Sequence, residues 1–265
     1  MNRLFAALAL AALPLAGASA ADLSLPLKSP ASPAFNWSGF YVGGNAGGAW
    51  GNEQISQTFG APPPFLAVDS AAISSSASQS FKSGNATAGV QAGYNYQSGN
   101  WVFGGELDFE YLGVRGTNSS NSPFPSTLPG GAAGPPTAFY NTSTSITADW
   151  LFTARPRVGW AVQDWLLYVT GGLAVGRESF SQSTVLLAPF VENSSFTTAR
   201  AGWTVGAGVE YAIARNWSIR GEYLHVDLGT VNTNGTISPP SPGITQTGTV
   251  RVTTEIARAG LNYHF

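Results

Sequence analysis

Trp101-Val102-Phe103-Gly104-Gly105-Glu106-Leu107-Asp108-Phe109-Glu110-Tyr111 alternates without a break. Trp101, Phe103, Gly105, Leu107, Phe109 and Tyr111 fall on one face, and Val102, Gly104, Glu106, Asp108 and Glu110 on the other. A period of two with apolar residues on one side is the signature of a strand. Here the carboxylates sit on the side opposite the aromatics. Trp150 to Trp160 repeats the pattern, with Arg155 and Arg157 facing away from the tryptophans. In each segment the terminal aromatics are ten residues apart, which is roughly 23 Å at about 3.3 Å per residue and about 45° tilt. That matches an apolar band about 25 Å tall, flanked by aromatic girdles, as lipid-facing strands require.

Outward from these two segments, eight alternating stretches lie near 38–51, 85–97, 101–115, 146–160, 165–179, 198–213, 217–229 and 251–265. Short connections at 97–100, 162–164 and 214–216 alternate with long ones near 52–84, 116–145, 180–197 and 230–250. The long ones are rich in Ser, Thr, Asn, Gly and Pro, and the proline runs at 62–64 and 239–242 are incompatible with central strands. The expected fold is all-β: an eight-stranded antiparallel up-and-down transmembrane β-barrel with short periplasmic turns and four long extracellular loops. Pro156 stands mid-strand in a barrel that has no edge to hide it, so a bulge or a locally broken ladder is expected there.

The N-terminal segment agrees with export. Arg3 precedes an apolar run that closes on Ala18-Ser19-Ala20, too short to span a bilayer and ending in small residues suited to cleavage. The expected domains are a signal peptide at 1–20, a flexible periplasmic leader at 21–36 and the barrel at 37–265. Removing Arg3 leaves 11 basic against 14 acidic residues, a mild net −3 that argues against a nucleic-acid partner. Charged residues make up 10%, against a typical value of about 25%. The chain has no cysteine, hence no disulfide or lipid-bearing Cys.

The aromatic girdles are assigned to Tyr94, Trp101, Trp160, Trp165, Tyr211, Trp217, Tyr263 and Phe265 on the periplasmic side and Trp50, Tyr111, Trp150, Trp203 and Tyr223 on the outer side. Reading the same parity inward gives a lumen charge network of Glu106, Asp108, Glu110, Arg155, Arg157, Glu210, Arg220, Glu222 and Arg258. Gly43, Gly47, Gly89, Gly93, Gly172, Gly206 and Gly260 leave room for these long side chains. Two readings stand side by side: an ion-pair plug, or a narrow water-filled path with the charges as a filter. No metal-ligand spacing, nucleotide loop or cofactor motif occurs. His225-Val226-Asp227 has the form of a hydrolytic pairing but no nucleophile in hydrogen-bond reach can be named, so no catalytic residue is assigned. His264 is placed at the periplasmic mouth of the lumen.

Trp37-Ser38-Gly39-Phe40-Tyr41-Val42-Gly43-Gly44-Asn45-Ala46-Gly47-Gly48 resembles the opening strand of alphaproteobacterial outer-membrane immunogenic proteins, porin-like members of the OmpA-type small-barrel superfamily. Asp149 to Gly159, Gly206 to Ala212, Asn216 to Tyr223 and the Tyr263-His264-Phe265 end carry the same resemblance. Pro156 departs from it, since a small residue is the family's choice between two arginines. The resemblance implies a surface-exposed protein of the Gram-negative outer membrane that contributes to envelope integrity. It also implies that Tyr263 and Phe265 are read by the outer-membrane assembly machinery. The expected role is structural and surface-interacting, without catalysis or cofactor. A small porin for passive diffusion and a haem-binding surface protein with Tyr140 as ligand are the alternatives. Expected partners are outer-membrane lipid and lipopolysaccharide, with a host or surface ligand at the long loops.

Overall fold

The computed structural model describes residues 35–60, 67–123, 139–185, 191–238 and 245–265. The signal and leader assignments through residue 34, and the proline runs at 62–64 and 239–242, lie outside the described residues. The strands are β1 (Gly39–Gly60), β2 (Gln79–Ser98), β3 (Trp101–Pro123), β4 (Phe139–Val162), β5 (Trp165–Val185), β6 (Val191–Ala214), β7 (Trp217–Asn234), β8 (Thr236–Ser238) and β9 (Thr245–His264). A helix, α1 (Ala67–Ala77), stands between β1 and β2. Each long strand pairs antiparallel with its chain neighbour, β7 pairs with β9, and β9 pairs with β1 from Tyr41↔His264 to Gly60↔Thr245. That last ladder closes a ring of eight strands. The short β8 adds only a three-residue pairing to β6.

The expected ring is present, but its walls are taller than the sequence suggested. Much of what read as long loop is strand. Residues 117–123 pair with 139–145, 180–185 pair with 191–196, 245–250 pair with β1, and 247–250 pair with β7 as well. The cause is composition. Ser and Thr runs such as Asn141-Thr142-Ser143-Thr144-Ser145 carry no apolar alternation, yet their backbones pair and their inward threonines are buried. Helix α1 was not anticipated, because its sequence Ala-Val-Asp-Ser-Ala-Ala-Ile-Ser-Ser-Ser-Ala carries no periodic apolar face.

Tight turns close the periplasmic end, with Gly99 at φ +61° in one and Gln163 at φ 54° in another. Among the described residues four register shifts occur, at Tyr111/Val114, Ala148/Leu151, Ala212/Ala214 and Asp227/Thr230. Three of these lie beside the outer girdle, where a bulge increases the bend. Pro156 does not create a bulge. Pairing of β4 with β5 stops at Ala154↔Leu173 and resumes at Arg157↔Thr170, two residues being skipped on each strand, so the ladder lapses while the register holds.

Candidate functional site

The pleat sorts the wall into two faces. Trp101, Tyr111, Trp160, Trp165, Trp203 and Trp217 are exposed on the outside, and Trp150, Tyr211 and Tyr263 stand half-buried against their neighbours there. They pack in pairs across strands: Trp101 on Trp160 at 4.8 Å, Trp165 on Tyr211 at 4.5 Å and Trp217 on Tyr263 at 5.1 Å between ring centroids. Phe265 is exposed, while its backbone N–H donates to the Phe40 carbonyl.

All nine lumen residues named from parity are inside and buried. Glu106 and Arg155 are register partners, and Arg155 Nη2 donates to Glu106 at 2.7 Å and to Asp108 at 2.8 Å. Its Nη1 reaches Glu222 at 3.2 Å. Arg258 spans the barrel, contacting Asp108 at 2.5 Å, Glu110 at 2.8 Å and Glu222 at 2.5 Å. Glu210 and Arg220 are also register partners, but their charges diverge. Arg220 turns to Glu106 at 2.5 Å, and Glu210 takes Arg157 at 3.1 Å instead. Four guanidiniums thus share five carboxylates in one connected layer.

Tyrosines seal this layer. Tyr41 donates to Glu106 at 2.7 Å and Tyr168 to Glu222 at 3.1 Å, and the Arg157 guanidinium lies over both rings at 4.9 and 4.7 Å. These tyrosines escaped the parity reading, which counted formal charges only. The signal was present: each occupies an inward position of an alternating strand. Several lumen glycines leave the space they need. An added Cβ at Gly93 would strike the Tyr41 hydroxyl, and one at Gly89 the Glu110 carboxylate.

Below the charges, Trp37, Val102, Ala161, Leu166, Tyr168 and Ala212 form an apolar stopper against which Phe35 packs. The flexible leader expected at 21–36 therefore does not extend to its last residues. Phe35 and Trp37 fold under the barrel, with Trp37 N–H donating to Gln97 at 2.8 Å and both rings edge-on to His264. His264 is buried at the mouth, where its Nε2 lies 2.9 Å from the Ser218 hydroxyl.

Above the charges comes a second apolar layer, built of Ala49, Leu112, Leu151, Leu224, Val226 and Ile256 among others. Strand β1 then reads upward as Glu53, Ile55, Gln57 and Phe59, polar and apolar by turns, all buried. Helix α1 closes the extracellular end. Ile73 and Ala77 pack on Phe59 and Tyr140, the Gln182 amide donates to the Ala77 carbonyl at 3.1 Å, and Tyr140 donates to Ala72 at 3.0 Å.

Near this extracellular end, burial raises the Glu178 carboxyl to about 7 and the Glu192 carboxyl to about 8. Glu192 is fully buried, and no cation among the described residues offsets its desolvation. A carboxyl whose folded pKa is raised binds a proton that the unfolded chain has already released. It therefore supports the fold below the unfolded value of 4.5, and that support is lost as pH rises to about 8. Thermal melting of the refolded barrel from pH 5 to 9 is expected to show it. Glu192→Gln should melt with a shallower decline than the native chain, and parallel curves would refute the assignment.

His225 lies on the outer wall at the outer girdle, with Nδ1 2.6 Å from Glu255, whose other oxygen accepts from Tyr223 at 2.8 Å. Asp227 is engaged by Arg251 at 2.6 Å.

The comparisons agree with this architecture. The family described as outer membrane protein beta-barrel domain matches residues 6–265. The 31 kDa outer-membrane immunogenic protein of Brucella melitensis is 35% identical over 263 residues, 97% of each chain. The 22 kDa outer membrane protein of Rhizobium leguminosarum is 29% identical, covering 76% of this chain and 68% of its own. Among solved structures, Neisserial surface protein A aligns over 86% of this chain and 98% of its own, at 16% identity and a TM-score of 0.37. A ring of eight lipid-facing strands, an ionic core and a family match over nearly the whole sequence lead to one assignment: the chain belongs to the outer membrane protein beta-barrel domain family, with alphaproteobacterial outer-membrane immunogenic proteins as its relatives, and resides in the outer membrane.

Proposed function

We propose that this protein is a sealed, non-catalytic barrel that stiffens the outer membrane and holds an extracellular rim on a rigid wall. The observation that carries the reading is the filled lumen. Trp37, Arg155, Leu224 and Ile73, one from each successive level of the lumen, are each at most 2% exposed. A hydrated path needs a continuous column of space, and an ionic layer packed between two apolar ones does not supply it.

The absence of catalysis is supported by the outer-wall dyad. His225 has an orienting carboxylate, but the residue two further along is Asp227, an ion-paired acid rather than a hydroxyl nucleophile. Haem capture through Tyr140 is disfavoured because that hydroxyl is buried under α1 and donates to a backbone carbonyl.

Small-solute diffusion is the competing function, and conductance separates the two. Residues 21–265, refolded and shown to be folded by heat-shifted gel mobility, are expected to give no steps in a planar bilayer. Discrete steps that change size with Arg155→Ala or Glu106→Ala would make the ionic layer a filter and the protein a porin.

A further inference from the structure

Of the described cations outside the ionic layer, Lys82, Arg115, Arg177 and Arg251 are exposed at outward positions of β2, β3, β5 and β9, while Arg200 is half-buried on β6 and Arg215 stands in a periplasmic turn. Lys82, Arg177 and Arg251 each stand 12 residues from a periplasmic aromatic of their own strand, Tyr94, Trp165 and Tyr263, and Arg115 stands 14 from Trp101, or 13 once the extra residue of the β3 bulge is discounted. Twelve residues at about 3.3 Å and about 45° tilt rise about 28 Å, just clear of an apolar band about 25 Å tall. This is the height of the outer-leaflet headgroups.

Two of these cations flank β1. Arg251 pairs in register with Gln54, which pairs with Ser80; Lys82 pairs with Asn52, which pairs with Thr253. Their Cα atoms are therefore about 12 Å apart, two strands over and two residues along. Asn52 and Gln54 lie between them and Trp50 below. The acids of this wall are already engaged: Asp227 by Arg251, Glu255 by His225 and Tyr223. Lys82 has no ion-pair partner among the described residues, and the Arg251 side chain remains 52% exposed despite its pair.

Directly above Arg251 the wall is hollow. A cavity of about 400 Å³ is lined by Gln54, Ser80, Thr249 and Arg251 among others. It shares Ser56 and Thr249 with a second cavity of about 490 Å³, which runs upward past Asn232 and Asn234. Neither is lined by a carboxylate. Hydroxyls and amides offer both donors and acceptors, as a saccharide requires, and the guanidinium at the base offers the paired donors that a phosphate takes best.

We propose that the outer wall of β7–β9–β1–β2 above Trp50 seats the phosphorylated saccharide headgroup of an outer-leaflet glycolipid, with Arg251 and Lys82 on the phosphate and the hydroxyl-lined hollow along the sugar chain. The assignment rests on the loops-outward orientation of the barrel and is independent of whether the lumen conducts.

The test is a binding titration of the refolded mature protein in detergent with rough lipopolysaccharide. Lys82→Gln combined with Asp227→Asn and Arg251→Gln, which leaves no orphaned acid, is expected to weaken binding at least tenfold. Removing the phosphates chemically should weaken the native protein by a similar factor and leave the triple variant unchanged. Thr249→Trp, which fills the hollow, should weaken lipopolysaccharide binding with the charges intact. Heat-shifted gel mobility confirms that each variant is folded. Equal binding by native and triple variant would overturn the proposal. So would equal binding of phosphatidylglycerol, which has the charge without the glycan, or displacement by millimolar inorganic phosphate, which would make a free anion the ligand.

Discussion

Arg155→Met is expected to destabilise the folded barrel by about 3 kcal/mol, at the lower end of the range for breaking a buried ion pair. Arg155 touches three carboxylates, Glu106, Asp108 and Glu222, and is almost wholly buried. A methionine keeps most of the volume, so the loss is electrostatic rather than a cavity. The figure sits at the lower end because each acid retains a second cation: Arg220 for Glu106, Arg258 for Asp108 and Glu222. The layer nevertheless shifts from four cations against five acids to three against five. Adding Glu106→Gln restores the native imbalance, three against four, and should recover more than half of the loss. Urea unfolding from lipid vesicles, followed by tryptophan fluorescence, measures both variants. A single variant within 1 kcal/mol of the native protein, a bound set by the weak coupling of solvated pairs, would mean that water screens the layer, and the sealed-lumen reading would fall with it.

The ionic layer was legible from parity because charge and aromaticity fall on opposite faces in β3, β4 and β7, and because a two-residue period allows no other arrangement once one face is in lipid. Partner choice was legible only in part. Glu106 and Arg155 are register partners and do pair, whereas Glu210 and Arg220 are register partners and do not, because guanidiniums on long stems reach across the lumen, so Arg220 serves Glu106 and Arg258 serves three acids. The strand ends were missed for a related reason. Hydrophobic contrast marks the membrane, not the sheet, and above the outer girdle Thr142, Thr144 and Thr184 face inward with no apolar contrast to reveal it. The two stoppers escaped for lack of any local signal. Trp37 follows a proline-rich stretch that reads as linker, and Ile73 is one apolar residue among serines. Both are defined by what the closed ring places opposite them.

Closure itself depends on Gly47, and Gly47→Val is expected to yield no folded barrel. Gly47 faces inward between Thr87 of β2 and Arg258 of β9, in the ladder that joins the first strand to the last. A Cβ there would strike the Ala257 carbonyl oxygen and come within 2.6 Å of the Arg258 Cα. Both are backbone atoms of the partner strand, so no rotamer change relieves the clash. The strands could separate only by breaking the closing ladder, and Arg258, which holds three acids of the ionic layer, would move with it. Alanine at the same position carries the same Cβ and should fail as well. Gly221 on β7 supplies the control. It faces lipid with nothing within 4 Å of an added Cβ, so Gly221→Val should change stability by no more than about 0.5 kcal/mol, as surface substitutions generally do. The readout is the heat-modifiable band on a gel after refolding into vesicles. A normal folded band for Gly47→Val would show that the β1–β9 ladder can open by about 1 Å, enough to relieve the contact with the Ala257 carbonyl, without losing closure. It would then remove the steric reason for a glycine in that strand.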